Sequence, residues 1–243
     1  MKKVALITGG SGTIGSSIAT KLSSVYDIIV TYNKSKDKAN NVLESIGSGN
    51  NMILKVDLSS VNSIKSMFDE INKRYGRLDL LVNNASFTKE SSVEDIEESV
   101  VDKVIELNLK SIFYCSREFL KFSNNGGDYN IINIGSNSVR TLNASNIIYI
   151  ACKAATESLT KSFAKEYGKF VRVNCVNPGL IKSNLSNDFF ENRKKYVLNQ
   201  TPIRKLCEPC DIADVVYNIV TNMKMINGQC IDVDGGRTLW LKY

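Results

Sequence analysis

Tyr149 and Lys153 stand four residues apart in the run Tyr149-Ile-Ala-Cys-Lys153-Ala-Ala. On a helix that step sets two side chains on one face, one turn apart. An ammonium held beside a phenol stabilises the phenolate, which fits the tyrosine for general acid/base work. Ser136 precedes them, at the break Gly135-Ser136 that ends the apolar run Ile131-Ile132-Asn133-Ile134. A bare Y-x-x-x-K carries little, since many helices show one aromatic and one solvated lysine; the pair gains meaning only from the rest of the chain. The sequence contains no histidine, which excludes His-based triads, His-ligated zinc and a histidine base. Acid/base chemistry falls to Tyr, Lys, Ser, Asp or Glu.

A second constellation lies near the start, in Thr8-Gly-Gly-Ser-Gly-Thr-Ile-Gly15. It follows a short apolar run at 3–8 that reads as a buried strand, and it precedes an amphipathic segment from Ser16 to Ser24. Strand, glycine-rich turn and helix is the setting in which G-x-G-x-x-G binds a dinucleotide. Glycines permit the tight turn and let backbone approach a pyrophosphate at the helix N-terminus, where open N–H groups favour anions. Gly9, Ser11, Gly12, Thr13, Ile14 and Gly15 are the candidate contacts. The next strand, Asp27 to Tyr32, ends in Asn33-Lys34-Ser35 rather than in a carboxylate, and Asp37 falls inside the following helix pattern. An acid there would hold ribose hydroxyls and repel a 2′-phosphate. Donors and a positive charge at Asn33, Lys34 and Ser35 favour NADP(H) over NAD(H).

The elements that must position these residues alternate along the chain. Strands are expected at 52–56, 78–82, 131–134, 171–176 and 230–233. Helices are expected at 60–75 (stopped by Gly76), across a long region from Val93 to Phe122 with Asn108 in its middle, from Tyr149 to about Tyr167, and at 211–222. Asn83-Asn84-Ala85-Ser86 closes the fourth strand, where open α/β sheets place ligands. Alternation throughout predicts an α/β fold, a Rossmann-type doubly wound parallel sheet of about seven strands in a single domain spanning 1–243. The polar, charged stretch 182–206 breaks the rhythm and reads as a substrate lid.

At 243 residues, with 43% hydrophobic and 23% charged, the chain can bury a core of ordinary globular kind. The net charge of +6 is scattered, with no block of basic residues that would suggest nucleic-acid binding. No run reaches the roughly 18 apolar residues of a membrane span, and the N-terminus lacks a cleavable apolar segment. Six cysteines without such a segment read as reduced thiols of a cytoplasmic protein. Cys207-Glu-Pro-Cys210 has no second pair to complete a zinc site, and Pro209 marks a helix start instead.

In family order, the glycine turn, Asp57, Asn83-Asn84-Ala85, Asn108, Ser136, Tyr149 with Lys153, Asn177-Pro178-Gly179 and Asp234-Gly235-Gly236 resemble the classical short-chain dehydrogenases/reductases over essentially the whole length. The general likeness is to 3-oxoacyl-[acyl-carrier-protein] reductases. The resemblance implies a catalytic tetrad: Tyr149 exchanges a proton with the substrate oxygen, Ser136 hydrogen-bonds that oxygen, Lys153 supports the tyrosine and grips the nicotinamide ribose, and Asn108 holds a water in a proton relay. It further implies that Asp57 and Leu58 line the adenine, that Asn84, Ala85 and Ser86 run beside the adenosine ribose, and that Pro178 to Ser183, including Gly179 and Ile181, embrace the carboxamide. It implies a small-molecule or carrier-bound oxo substrate and a homo-oligomer, tetramer or dimer, paired through the long helices; Ile112, Phe113 and Phe119 on one and Leu159 and Phe163 on the other offer apolar faces there, though each of these equally fits the core.

Two departures stand out. Thr13 occupies the place of the middle glycine of T-G-x-x-x-G-x-G, while Gly12 supplies a spacing more usual in the extended branch of the family. Ser86 replaces the glycine of N-N-A-G, tightening the pocket or adding a hydroxyl to it. Reduction of a ketone or 3-oxoacyl group is the leading expectation. A dehydrogenase or reductase of a sugar, polyol or secondary metabolite is the alternative, and a non-catalytic dinucleotide-binding protein is a third reading.

Overall fold

Strand β1 (Lys3–Ile7) points Val4 and Leu6 to one side and Ala5 and Ile7 to the other, and all four are buried. A strand apolar on both faces needs helices on both. The computed structural model describes residues 2–123, 127–142, 147–181 and 187–240, and there β1 is an inner strand of a seven-stranded sheet ordered β3-β2-β1-β4-β5-β6-β7. Its partners are β2 (Tyr26–Tyr32), β3 (Met52–Lys55), β4 (Leu80–Asn83), β5 (Tyr129–Ile134), β6 (Val171–Pro178) and β7 (Cys230–Val233), every neighbouring pair parallel. One face is covered by α1 (Thr13–Leu22), α2 (Lys36–Ile46) and α9 (Pro209–Thr221), through Ile18, Leu22, Val42, Val216 and Ile219. The other is covered by α3 (Val61–Tyr75), α5 (Ser111–Phe119) and α7 (Ile147–Tyr167), through Ile64, Phe68, Phe119 and Phe163. The expected doubly wound parallel sheet is the observed one.

Local chemistry sets the helix ends. Ser60 caps α3 by accepting from Ser63 N at 3.3 Å, and Gly76 stops it at φ +63°, a left-handed conformation suited to glycine. At α9, Asp211 Oδ2 accepts from Glu208 N at 2.8 Å, and Pro209 begins the helix two residues before the expected start. Helix α1 starts at Thr13 rather than Ser16, so the end of the glycine turn is already its first turn.

The long helix expected from Val93 to Phe122 needs correction at both its start and its middle. Ser92 Oγ donates to Asp95 Oδ2 at 2.6 Å and accepts from Asp95 N at 3.2 Å, a side-chain turn that competes with helix. Helix α4 therefore runs only from Glu98 to Ile105. Residues Glu106–Lys110 then form a π-turn, in which Ser111 N donates to Glu106 O, five residues back. The cause is Asn108, whose Nδ2 takes the Val104 carbonyl at 2.8 Å. Of the apolar residues on the helices expected to pair subunits, Ile112, Phe119 and Phe163 are core, and Leu159 packs against the same cluster. Only Phe113 is exposed, at 42%.

Within the 182–206 stretch, residues 182–186 lie outside the described residues and Asn187–Gln200 form helix α8. Among the described residues no helix is long and apolar enough to cross a membrane.

Candidate active site

The sheet order places β1 beside β4, while the chain leaves β1 in the opposite direction, toward β2 and β3. Connections diverge there, and the carboxyl ends of the two strands frame a crevice. Thr8, one residue past β1, ties them together: its Oγ1 donates to Val82 O at 3.3 Å and accepts from Asn84 N at 2.9 Å and Ala85 N at 3.1 Å. Asn84 Nδ2 then donates to Thr8 O at 2.9 Å and Gly9 O at 3.1 Å, drawing the glycine turn onto β4. Gly9 has φ +60°, and a Cβ there would lie 2.9 Å from Ala85 Cα. A Cβ on Gly15 would lie 2.6 Å from Gly9 O. Glycine is therefore required at both positions.

The result is a cavity of about 540 Å³ walled by Gly9, Ser11, Gly12, Thr13 and Ile14 on one side, with Asn84, Ala85 and Ser86 below and Ile181 opposite. No side chain caps α1 at Gly12, so its first-turn N–H groups stay open. This cradle of bare backbone fits a dinucleotide's pyrophosphate.

Other expected contacts lie away from this cavity. Asn33, Lys34 and Ser35 are exposed at the end of β2, with Asp37 exposed in the first turn of α2. Leu58 is buried. The Asp57 carboxylate accepts from the Ser59 hydroxyl at 2.6 Å and amide at 3.0 Å, and these bonds hold it below the usual carboxylate range. Ser183 lies outside the described residues. Pro178 accepts from Asn137 N at 3.0 Å, and Gly179 N donates to Val233 O at 2.9 Å.

The second pole is built by β5, β6 and α7. Lys153 is 1% exposed and donates from Nζ to Ile134 O, the last carbonyl of β5, at 2.7 Å. That bond holds the ammonium 5.5 Å from the centre of the Tyr149 ring, one helical turn away. An ammonium has three donors, and Ile134 takes one. Ser136 Oγ accepts from Ser138 N at 3.1 Å. Ser136 and Tyr149 line one cavity of about 310 Å³ together with Ser138, Gly179 and Arg237. On its other side Tyr149 borders an apolar slot of about 190 Å³ against α4, walled by Val93, Ile96, Val101, Val104 and Ile148.

Asn108 sits behind this pole, fully buried. Its Oδ1 accepts from Ser86 Oγ at 2.7 Å and Phe87 N at 3.3 Å, while Nδ2 donates to Phe87 O at 2.6 Å and Val104 O at 2.8 Å. All four hydrogen-bonding positions of the amide are used, so its side chain clamps the loop after β4 onto the π-turn. Its backbone carbonyl accepts from Thr156 Oγ1 at 3.4 Å. The Ser86 hydroxyl is spent on Asn108, which answers what that departure does.

Four cavity-lining residues went unread in the sequence: Asn137, Ser138, Thr141 and Arg237 just past Asp234-Gly235-Gly236, whereas Tyr196 on α8 falls in the stretch read as a lid. The double glycine was the available signal, since two consecutive glycines announce a tight turn that must aim its next residue somewhere. The C-x-x-C shows no sign of redox use: burial first, then Asp211, pushes the Cys207 thiol up to about 11. All six cysteines are free, and no cluster that could hold a metal occurs among the described residues.

A doubly wound sheet with a glycine turn at its switch point and a Tyr–Lys pair beside a cavity defines an oxidoreductase of the Rossmann type. A family profile described as enoyl-(acyl carrier protein) reductase matches residues 10–238. The chain is 35% identical over 241 residues to a 3-oxoacyl-[acyl-carrier-protein] reductase of Staphylococcus epidermidis, covering 97% of this chain and 99% of that one. It is 32% identical over 257 residues to an NADPH-dependent aldehyde reductase of Arabidopsis thaliana, covering 96% and 93%. A short-chain dehydrogenase from Burkholderia cenocepacia, solved in complex with NADP, superposes with a TM-score of 0.89 at 26% identity over 97% of both chains. The chain belongs to the short-chain dehydrogenase/reductase family.

Proposed function

We propose that this protein reduces the ketone of a 3-oxoacyl-type substrate to a secondary alcohol with NADP(H). The carrying observation is the position of Tyr149: it lines one cavity with Ser136, borders the largely apolar slot, and has Lys153 one helical turn away. A ketone oxygen accepts two hydrogen bonds, and the hydroxyls of Ser136 and Tyr149 supply two donors. As the carbonyl is reduced, negative charge develops on that oxygen; Tyr149 delivers the proton that quenches it, and the buried Lys153 ammonium stabilises the phenolate left behind. When bound, the nicotinamide supplies the hydride. Gly9 to Gly15, Asn84 to Ser86 and Ile181 would hold the dinucleotide, and Lys153 has donors to spare for ribose hydroxyls. Any relay water held at Asn108 would bind its backbone carbonyl.

NADP(H) is supported by the exposed Asn33-Lys34-Ser35 and by the absence of a carboxylate before Asp37. Two similar proteins carry NADP or NADPH in their descriptions. The family profile's description names reduction of an enoyl group, the Staphylococcus relative's that of a 3-oxo group. Paired hydroxyls beside one cavity favour the oxo group, and the apolar slot beside Tyr149 disfavours a sugar or polyol. We place the protein in the cytoplasm, acting on a free or carrier-bound substrate as a homotetramer; sedimentation as a monomer would refute the assembly.

The test is NADPH-dependent reduction of a 3-oxohexanoyl N-acetylcysteamine thioester. Tyr149→Phe should lower kcat by about 10²–10⁴-fold while NADPH titrates with unchanged affinity. Retained turnover in that variant sinks the assignment.

A further inference from the structure

The polar cavity beside Tyr149 contains a cation that the reaction itself does not require. Asp234-Gly235-Gly236 deliver Arg237 to it: Gly235 and Gly236 have φ of +68° and +81°, and a Cβ on Gly235 would lie 2.7 Å from both Thr201 Cγ2 and Ile203 Cγ1. The buried Asp234 carboxylate fixes the turn by accepting from Gly236 N at 2.9 Å and Thr238 N at 3.0 Å, and Asn137 Nδ2 reaches it at 3.4 Å. Asn137 is the neighbour of Ser136, so the latch ties the Arg237 turn to the catalytic loop.

Arg237 and Ser138 share this cavity with Ser136 and Tyr149. Ser138 Oγ is buried without a hydrogen-bond partner among the described residues. An arginine carries five N–H donors in a fixed fork, more than a single neighbouring acceptor can use. Tyr149 also borders the slot against α4, where Val101, Val104 and Ile148 give apolar wall and Thr88, Lys89, Ser91 and Ser92 complete the lining. A substrate with its reacting oxygen at Tyr149 thus has apolar wall in the slot and the Arg237 guanidinium in the cavity that Tyr149 and Ser136 share.

We propose that Arg237 is a specificity-determining residue that binds a second acceptor oxygen of the substrate, the carbonyl or carboxylate of its acyl group. The inference rests on the reading of Tyr149 as the residue that meets the reacting oxygen. It divides substrates into oxo compounds with an acyl group next to the ketone arm and simple ketones without one. A site built to bond an oxygen discriminates strongly against the analogue that lacks it, because its own donor is left unpaired.

The experiment compares three NADPH-dependent reductions: 3-oxohexanoate, the 3-oxohexanoyl N-acetylcysteamine thioester, and 2-pentanone, which is the same skeleton with the acyl group replaced by hydrogen. Wild type should prefer the acyl compounds, and Arg237→Met should collapse the ratio of kcat/KM for acyl substrate over 2-pentanone by about 10–100-fold. Arg237→Lys should fall between, because it keeps the charge and loses the fork. A larger collapse for the free acid identifies a carboxylate as the bound group; a larger one for the thioester identifies the carbonyl. A ratio unchanged within twofold, whether all rates fall together or none does, overturns the inference. Calorimetric titration of the NADP-loaded protein with 3-hydroxyhexanoate and 2-pentanol reads the same preference without turnover. There, equal affinities in wild type overturn the inference, whereas absent turnover counts only against the proposed reaction.

Discussion

The two poles of the crevice are made of different material. The proposed dinucleotide pole is mostly backbone: Gly9, Gly12 and Gly15 bring main chain close, and Thr8 and Asn84 lock it to β4. The proposed substrate pole is mostly side chain: Ser136 after β5, Tyr149 on α7, Tyr196 on α8 and Arg237 after β7 line one cavity, and Lys153 lies one helical turn from Tyr149. Backbone recognition tolerates no added atoms but asks little of side-chain chemistry. Side-chain recognition is indifferent to small backbone changes but depends on elements distant in sequence arriving in register. One pole fails by crowding and the other by loss of a functional group.

Variants can break or sharpen that contrast. The largest effect outside the tetrad belongs to Gly15→Val. Its side chain would start 2.6 Å from Gly9 O and 2.7 Å from Gly10 Cα, both backbone. Overpacking of this kind costs about 1–3 kcal/mol. NADPH affinity should fall at least tenfold with the Tyr149 pole intact; unchanged affinity would show that the glycine turn is not the binding cradle. Lys34→Glu comes next. It places a negative charge at an exposed position, where screening limits the effect. Fluorescence titration should show NADPH binding weakened about tenfold, or about 1.4 kcal/mol, with NADH nearly unaffected. Equal loss for both cofactors would reject a 2′-phosphate site there.

Ser86→Gly addresses the joint between the poles. It removes the 2.7 Å bond into buried Asn108 Oδ1, at a cost of about 1 kcal/mol. A fall in Tm of about 2–4 °C is expected, with NADPH affinity unchanged. A fall in affinity without loss of stability would make the Ser86 hydroxyl, and not only its backbone, a cofactor contact. The smallest effect lies far from either pole. Burial pushes the Asp128 carboxyl up, but Lys224 at 2.6 Å and Lys3 at 3.1 Å pull it further down, to about 2. A carboxyl depressed in the folded state adds stability above its ordinary pKa of about 4, and that stability is lost as pH falls toward 2. Asp128→Asn should cost slightly at pH 7 and flatten the decline between pH 4 and pH 2 in denaturant unfolding. A parallel decline in both proteins would rule the network out as a source of acid sensitivity.

Legibility followed the same division. The glycine turn, the strand alternation, the stop at Gly76 and the Tyr149–Lys153 step were readable because each is local: neighbouring residues fix φ, face or helix end without help from elsewhere. Helix length across 93–122 was not readable, because the Ser92–Asp95 turn and the Asn108 side chain outcompete the backbone ladder and apolar periodicity does not register either. The role of the apolar residues on α5 and α7 was left open for the opposite reason. Ile112 and Phe119 have helical spacing, but whether that face meets the sheet or solvent depends on how α5 docks.

The sequence by itself determined the sheet, its two-sided cover, the glycine turn and the Tyr149–Lys153 step proposed as the acid/base pair, all of which follow from residue type at short range. Only the tertiary structure decided that Ser86 spends its hydroxyl on Asn108, that Lys153 hangs from the last carbonyl of β5, and that Arg237 turns into the Ser136–Tyr149 cavity. Those three depend on contacts between segments far apart in the chain, and a hydrogen bond's partner is fixed by packing geometry rather than by the donor's own neighbours.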